Sequence, residues 1–232
     1  MAQAGLHAAL GYQFRRIIPS ERRLFPSIIF GAILPDLDIL IVAIGSLFYP
    51  IAHSEALFHR TFSHSFFTII MIYLLFASLA EWKKQRIYKS IGKGLVIGIL
   101  SHIIIDTFFW FRGIQFLWPL PIEPFNFWSF WEAPAWIHRS MMVFDFFCFY
   151  WYAWFLITKH IDSPNQQSWI IKYLQVWKKL EGILFVFFIL MALWNPHNFI
   201  ALFGTAYIPS IIMMLWSTYM SRNALEHQTD PS

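Results

Sequence analysis

Asp36 and Asp38, His59 and His64, and His102 and Asp106 are the residues of this chain whose types and spacing could do chemistry. Carboxylates and imidazoles are the usual ligands of divalent metals. Five of the six lie in, or near the start of, stretches apolar enough to sit inside a bilayer, and His59 just precedes one. Ionisable side chains are expensive in that setting and are kept for function. The pattern predicts a metal site built among transmembrane helices, with His7 as a further candidate ligand. His102 and Asp106 are four residues apart, so a helix stacks them on one face. Asp36 and Asp38 differ by two, and an unbroken helix would turn them apart by about 200°. Pro35 removes a backbone donor and disturbs the turn, which could let both carboxylates face one metal, or each face one of two. His59 and His64 fit a helix start with His59 in the preceding turn. Arg60, between them, could hold a carboxylate or an anionic substrate group through a two-pronged contact.

The elements that must position these groups are membrane spans. The chain has 232 residues, of which 58% are hydrophobic and 13% charged, against about 25% charged in a soluble domain. This predicts an all-α polytopic membrane protein, read as a single integral domain over residues 1–232. The lone cysteine, Cys148, excludes an internal disulfide and a cysteine-based zinc site. The net charge of +4 is no nucleic-acid signal. The N-terminus lacks a charged region and a small-residue cleavage site, which predicts no cleaved signal peptide.

About six spans are expected. Residues 2–14 are apolar but shorter than the roughly 20 residues a crossing needs, so they predict a re-entrant or interfacial helix carrying His7. Spans follow at 27–48, 61–80, 94–111 and 141–158. Residues 160–181 are amphipathic, and 182–221, free of Asp, Glu, Lys and Arg and broken at Asn195-Pro196-His197, read as two more spans. The Trp- and Pro-rich segment 112–140 suits the membrane interface, with a lid over the site as the functional alternative. Placing 15–23, 81–93, 159–181 and the C-terminal tail on one side collects 14 of the 17 Lys and Arg there, which predicts that side, with both termini, to be cytoplasmic. On this reading the basic loops are topology signals rather than binding sites.

Depth links the groups. At 1.5 Å per residue, His102 lies about 14 Å beyond Lys93, Asp36 about as far beyond Ser27, and His7 about 12 Å from Arg15. Agreement of three depths makes a shared site plausible without requiring lateral contact. The bland alternative is polar packing for each histidine, and helix capping for the Pro35-Asp36-Leu37-Asp38 run. Glu123, Glu132, His138 and Asp145 are further polar side chains that the sequence leaves unassigned.

The order Pro35-Asp36-Leu37-Asp38, His59-Arg60 with His64 five residues on from His59, His102 followed by three isoleucines and Asp106, then Leu117-Trp118-Pro119-Leu120, resembles the YdjM-like family of LexA-regulated inner-membrane proteins described as metal-dependent hydrolases. The resemblance covers about residues 5–120, the half that would hold the metal, and His7 also matches. The family commonly has Thr-His where this chain has Ser63-His64. The resemblance implies a hydrolase with a metal-activated water and names no substrate.

The expected function is a membrane-embedded hydrolase of a phosphoester or lipid-like ester. His7, Asp36, Asp38, His59, His64, His102 and Asp106 exceed what one tetrahedral zinc needs, so one or two divalent ions are expected, zinc first, manganese or iron as alternatives. Asp38 could serve as general base and Arg60 could stabilise phosphoryl charge. The expected partners are membrane lipids, with no nucleic acid and no protein partner. Two rivals remain: a metal-ion or proton-coupled transporter using the same residues as transit ligands, and a structural membrane protein with a metal site.

Overall fold

The computed structural model describes residues 4–14, 21–163, 167–194 and 199–226. Arg15 and Arg16 of the first basic loop and the Asn195-Pro196-His197 break lie outside the described residues. The described chain is helical: α1 (Ala4–Gln13), α2 (Leu24–Ile33), α3 (Asp38–Gly45), α4 (Ile51–Phe58), α5 (Phe66–Lys83), α6 (Arg86–Phe109), α7 (Ala135–Ile161), α8 (Ser168–Trp194), α9 (Phe199–Met220) and α10 (Arg222–Glu226). Short 3₁₀ turns at Leu34–Leu37 and Phe62–His64 precede α3 and α5. Among the described residues, five runs are long and apolar enough to cross a membrane: Leu24–Gly45, Phe66–Lys83, Arg86–Phe109, Ala135–Ile161 and Phe199–Met220. The amphipathic stretch before residue 181 and the apolar run after it are not separate elements; both belong to the 27-residue helix α8. Glu181, at the join, is accommodated because Trp177 Nε1, one turn earlier, donates to its Oε1 at 2.7 Å.

The chain forms two compact units, one of residues 1–13 with 134–232 and the other of residues 14–133. In the first, α1 runs beside α7, where a Cβ on Gly5 would come within 2.7 Å of the Cys148 backbone. Its core is aromatic: Phe146 stacks on Phe188 at 4.8 Å, and Phe203 on Tyr207 at 5.2 Å. Buried polar groups pair across helices, Tyr152 with Thr218 at 2.9 Å and His160 with Ser221 at 3.0 Å.

The second unit carries six of the seven candidate ligands. Its axis is the packing of α6 between α2 and α5. One face of α6 is glycine. A Cβ on Gly94 would come within 2.6 Å of the Leu24 carbonyl oxygen, and one on Gly98 would overlap the Ile28 carbonyl and lie 2.5 Å from Ala32 N. Small residues four apart let helix backbones approach this closely in membranes, where packing rather than water exclusion holds helices together. The other face of α6 carries Ile99 and Ile103, which pack on Ile69 of α5. His102 and Asp106 continue the Gly94–Gly98 row by steps of four, so the glycine contact aims both at α2 and the turn after it.

Gly98→Ala should therefore destabilise the protein by about 1–3 kcal/mol through overpacking. Ile103→Val, on the other face of α6, should cost about 0.5–1.5 kcal/mol. Thermal unfolding in detergent checks the order.

Candidate metal centre

Four side chains of the 14–133 unit converge in its buried interior. His102 Nε2 lies 3.2 Å from His64 Nε2, 3.6 Å from Asp106 Oδ2 and 3.7 Å from Asp36 Oδ1. His64 Nε2 is also 3.6 Å from Asp106 Oδ2. All four residues are 3% exposed or less. Three devices deliver the four: Asp106 and His102 come by the helical row on α6, Asp36 by the 3₁₀ turn at Pro35, and His64 by the 3₁₀ turn that leads into α5.

Hydrogen bonding sets the tautomers. His102 Nδ1 is 2.7 Å from the Ala32 carbonyl oxygen, which only accepts, so Nδ1 carries the proton. Ser63 Oγ donates its one proton to Asp38 Oδ2 at 2.7 Å and lies 2.9 Å from His64 Nδ1, so His64 Nδ1 must be the donor there. Neutral imidazoles held this way both turn an Nε2 lone pair toward the same space. Two lone pairs 3.2 Å apart repel unless something positive lies between them. Asp36 adds a second mismatch, because neither of its oxygens has a hydrogen-bond partner among the described residues. Buried carboxylates are paired or bind metals, and metal-ligating histidines characteristically donate the other ring nitrogen to a carbonyl or carboxylate. His64, His102, Asp36 and Asp106 therefore fit a divalent cation, and His102 and Asp106 belong to a group of side chains able to hold one.

Asp38 and His59 lie beside this cluster as a pair. Asp38 Oδ1 accepts from His59 Nδ1 at 2.7 Å, while Oδ2 accepts from the Arg60 backbone N–H at 3.0 Å and from Ser63. Asp38 thus ties the His59–His64 turn together, with His64 Nδ1 3.7 Å away. Burial holds His59 below the ordinary imidazole range despite the neighbouring carboxylate, which keeps it neutral. Its Nε2 has no partner among the described residues.

Arg60 has a left-handed backbone, φ 60°, which a non-glycine residue adopts only under constraint. The constraint is its own N–H on Asp38 and its carbonyl on Gln115 N at 3.1 Å. The side chain turns inward, where Nη2 donates to Asp106 Oδ2 at 2.6 Å and the guanidinium stacks 4.9 Å from the Trp110 ring centre. Arg60 also lines a cleft of about 360 Å³ with His59, Glu55, Arg112, Gly113 and Gln115. The aromatic segment is sewn to this region by Phe66 N to Phe116 O at 2.9 Å and Ser65 Oγ to Trp118 O at 2.6 Å.

Of the expected ligands, Asp36, His64, His102 and Asp106 share one space, Asp38 and His59 pair next to it, and His7 lies on α1 of the other unit. Spacing did not single out three contributors. Ser63 fixes the His64 tautomer, Trp110 backs Arg60, and the Ala32 carbonyl orients His102. Ser63 alone had a signal, as a hydroxyl before a candidate ligand.

A polytopic helical membrane protein with a buried cluster of two imidazoles and two carboxylates is the class that fold and site define. The chain belongs to the YdjM inner membrane protein family, whose pattern matches residues 2–221, well beyond the half on which the motifs lie. It is an inner-membrane protein. A protein of Bacillus subtilis (strain 168) described as uncharacterized protein YvsG is 34% identical over 96 residues, 40% of this chain and 55% of that relative; the match thus spans about half of the relative's length. No solved structure gives a significant match.

Asp36→Asn separates ligand from scaffold. With divalent metal stripped by chelator, the variant should be at least as stable as wild type, since an unpaired buried anion has been neutralised. With metal restored, wild type should gain about 2.7 kcal/mol at a hundredfold excess over Kd and the variant far less. Thermal unfolding with and without metal reads both signs. Ser63→Ala should weaken metal binding about 10–100-fold, as loss of a ligand's supporting contact does, measured by metal titration.

Proposed function

We propose that this protein is a membrane-embedded, metal-dependent hydrolase acting on a phosphoester or lipid-like ester. The observation that carries this reading is the pair of inward-facing Nε2 lone pairs beside the unpartnered Asp36 carboxylate, all next to a cleft lined by Arg60 and His59. His64, His102, Asp36 and Asp106 would hold the ion, with zinc first and manganese or iron as alternatives. A divalent ion there supplies Lewis acidity toward an ester oxygen and activates water at neutral pH. His7 joins the ligand set on the strength of its sequence depth and of the family resemblance.

The chain's own groups supply the rest. Arg60 fixes Asp106 in place and, lining the cleft, presents positive charge to a phosphoryl oxygen. His59 can take up or release a proton at Nε2, and Asp38, bonded at Nδ1, holds the ring and stabilises its charged form, an arrangement general acid–base catalysis uses. Asp38 then acts through His59. Arg112, paired with Glu55, lines the same cleft, so an anionic substrate group would meet two guanidiniums there, each already holding a carboxylate. On the positive-inside bias the basic loops and both termini are cytoplasmic, which puts this cleft on the opposite side, within reach of membrane lipids.

The test is turnover of a phosphomonoester, phosphodiester and lipid-ester panel by detergent-purified protein, beside elemental analysis. We expect one or two equivalents of a transition metal in wild type. A His102→Ala, Asp106→Ala double variant should lose both metal and activity, and His59→Ala should keep the metal while rates fall by about 10²–10⁴. No bound metal after reloading would overturn the reading. Metal bound without turnover, but with flux into proteoliposomes that the double variant abolishes, would establish transport instead.

A further inference from the structure

We propose that the basic side of the 14–133 unit holds a binding site for the phosphate of an anionic phospholipid, distinct from the metal centre. A cleft of about 910 Å³ lies where α5 ends and α6 begins, lined by Arg22, Lys84, Arg86, Lys89 and Lys93 against two acidic residues, Glu21 and Glu81. Lys93 pairs with Glu21 at 3.3 Å, so most of the positive charge is left for a ligand.

Three observations beyond charge point to an anion. First, the helix ends are treated unequally. The last carbonyls of α5 accept from Lys84 N and Gln85 N, at 3.3 and 3.1 Å, whereas the start of α6 has no side-chain cap and no acidic residue in its first turn. Tyr88 N bonds back to Gln85 O at 3.3 Å, and the Arg86 and Ile87 N–H groups at the start of this 24-residue helix meet the cleft without a side-chain cap, the condition that favours phosphate. Second, Ser90, which lines the cleft, is 6% exposed and its hydroxyl has no partner among the described residues. Helical serines ordinarily bond back to a preceding carbonyl, as Ser27 does to Arg23 and Ser101 to Gly98 here. The Ser90 hydroxyl, on the cleft side of α6, is thus left without an acceptor or donor among the described residues. Third, the surroundings suit a lipid. Trp82 of α5 is 74% exposed and, with Leu75 and Met71, forms an apolar face that marks the membrane level at this helix end, on the side of α5 away from the cleft-lining Ala80, Glu81 and Lys84. An interfacial tryptophan above an apolar helix face is where a headgroup and its acyl chains lie, and basic pockets between spanning helices bind such headgroups.

The experiment is native mass spectrometry of the full-length, detergent-purified protein titrated with phosphatidylglycerol or phosphatidylcholine. Phosphatidylglycerol should be retained in preference. Arg86→Gln with Lys89→Gln should weaken it about tenfold or more, at roughly 1 kcal/mol per cation. The equally neutralising Lys172→Gln with Lys178→Gln on α8 should leave it unchanged. Ser90→Ala should weaken it and Arg86→Lys should keep it, which preserves the test should the double variant fail to fold. Equal retention of the two lipids, or equal weakening by the α8 pair, would overturn the site. Displacement of phosphatidylglycerol by millimolar inorganic phosphate would overturn the lipid as its occupant.

Discussion

The constraint on which this structure turns is that more negative than positive charge is buried together in its interior, as counted among the described carboxylates and guanidinium. Asp36, Asp38 and Asp106 are each 3% exposed or less, and Arg60 is the guanidinium buried with them. Three carboxylates against one cation leave two negative charges in an apolar helical interior, a state that costs several kcal/mol per ion unless it is compensated. A dication balances that excess. Two protons would also balance it, one between the imidazoles and one on Asp36, but not one on each Nε2. The Ala32 carbonyl and Ser63 already hold the Nδ1 protons of His102 and His64. Further protons on Nε2 would bring two donors face to face at 3.2 Å. A shared cation removes both conflicts at once.

Positioning such a cluster requires backbones closer than ordinary side chains allow. Gly94 and Gly98 bring α6 onto α2, and the same helical row, two turns further along, delivers His102 to the Ala32 carbonyl. Packing and chemistry are thus one face of one helix. The 3₁₀ turn at Leu34–Leu37 is the complementary device on α2. It carries the two carboxylates to different partners, Asp36 to within 3.7 Å of His102 and Asp38 onto His59. The left-handed Arg60 is the third such device, stabilised by bonds to Asp38 and Gln115 rather than by its own preference.

These devices explain what could and could not be read from the sequence. The stacking of His102 on Asp106 follows from a four-residue interval, and the helical membrane class from composition and apolar runs. The equal depths of Asp36 and His102 were visible too, because depth is a count along a helix. Lateral neighbours are not counts. Which of Asp36 and Asp38 faces the imidazoles depends on the local turn, and the pairing of Asp38 with His59 depends on where a loop folds back. Ser63 and Trp110 matter through contacts that no periodicity marks. The junction near residue 181 was read as a boundary because a glutamate interrupts the pattern. Glutamate is a good helix former, so the helix runs on through it, and Trp177 supplies the donor that its buried carboxylate needs.

The Asp38–His59 pair gives the site a direction. Every donor aimed at the ion position is fully enclosed, whereas His59 and Arg60 also line the cleft. A group entering the cleft meets the guanidinium and the imidazole before it reaches the ligands. Arg60 belongs to both, lining the cleft and donating from Nη2 to Asp106. An anion drawn to Arg60 would compete with Asp106 for the guanidinium, leaving that carboxylate more negative and a firmer ligand. In the proposed hydrolase, substrate charge and metal affinity would be coupled in this way through one side chain, an arrangement suited to an ester that carries its own negative charge and poorly suited to a neutral one.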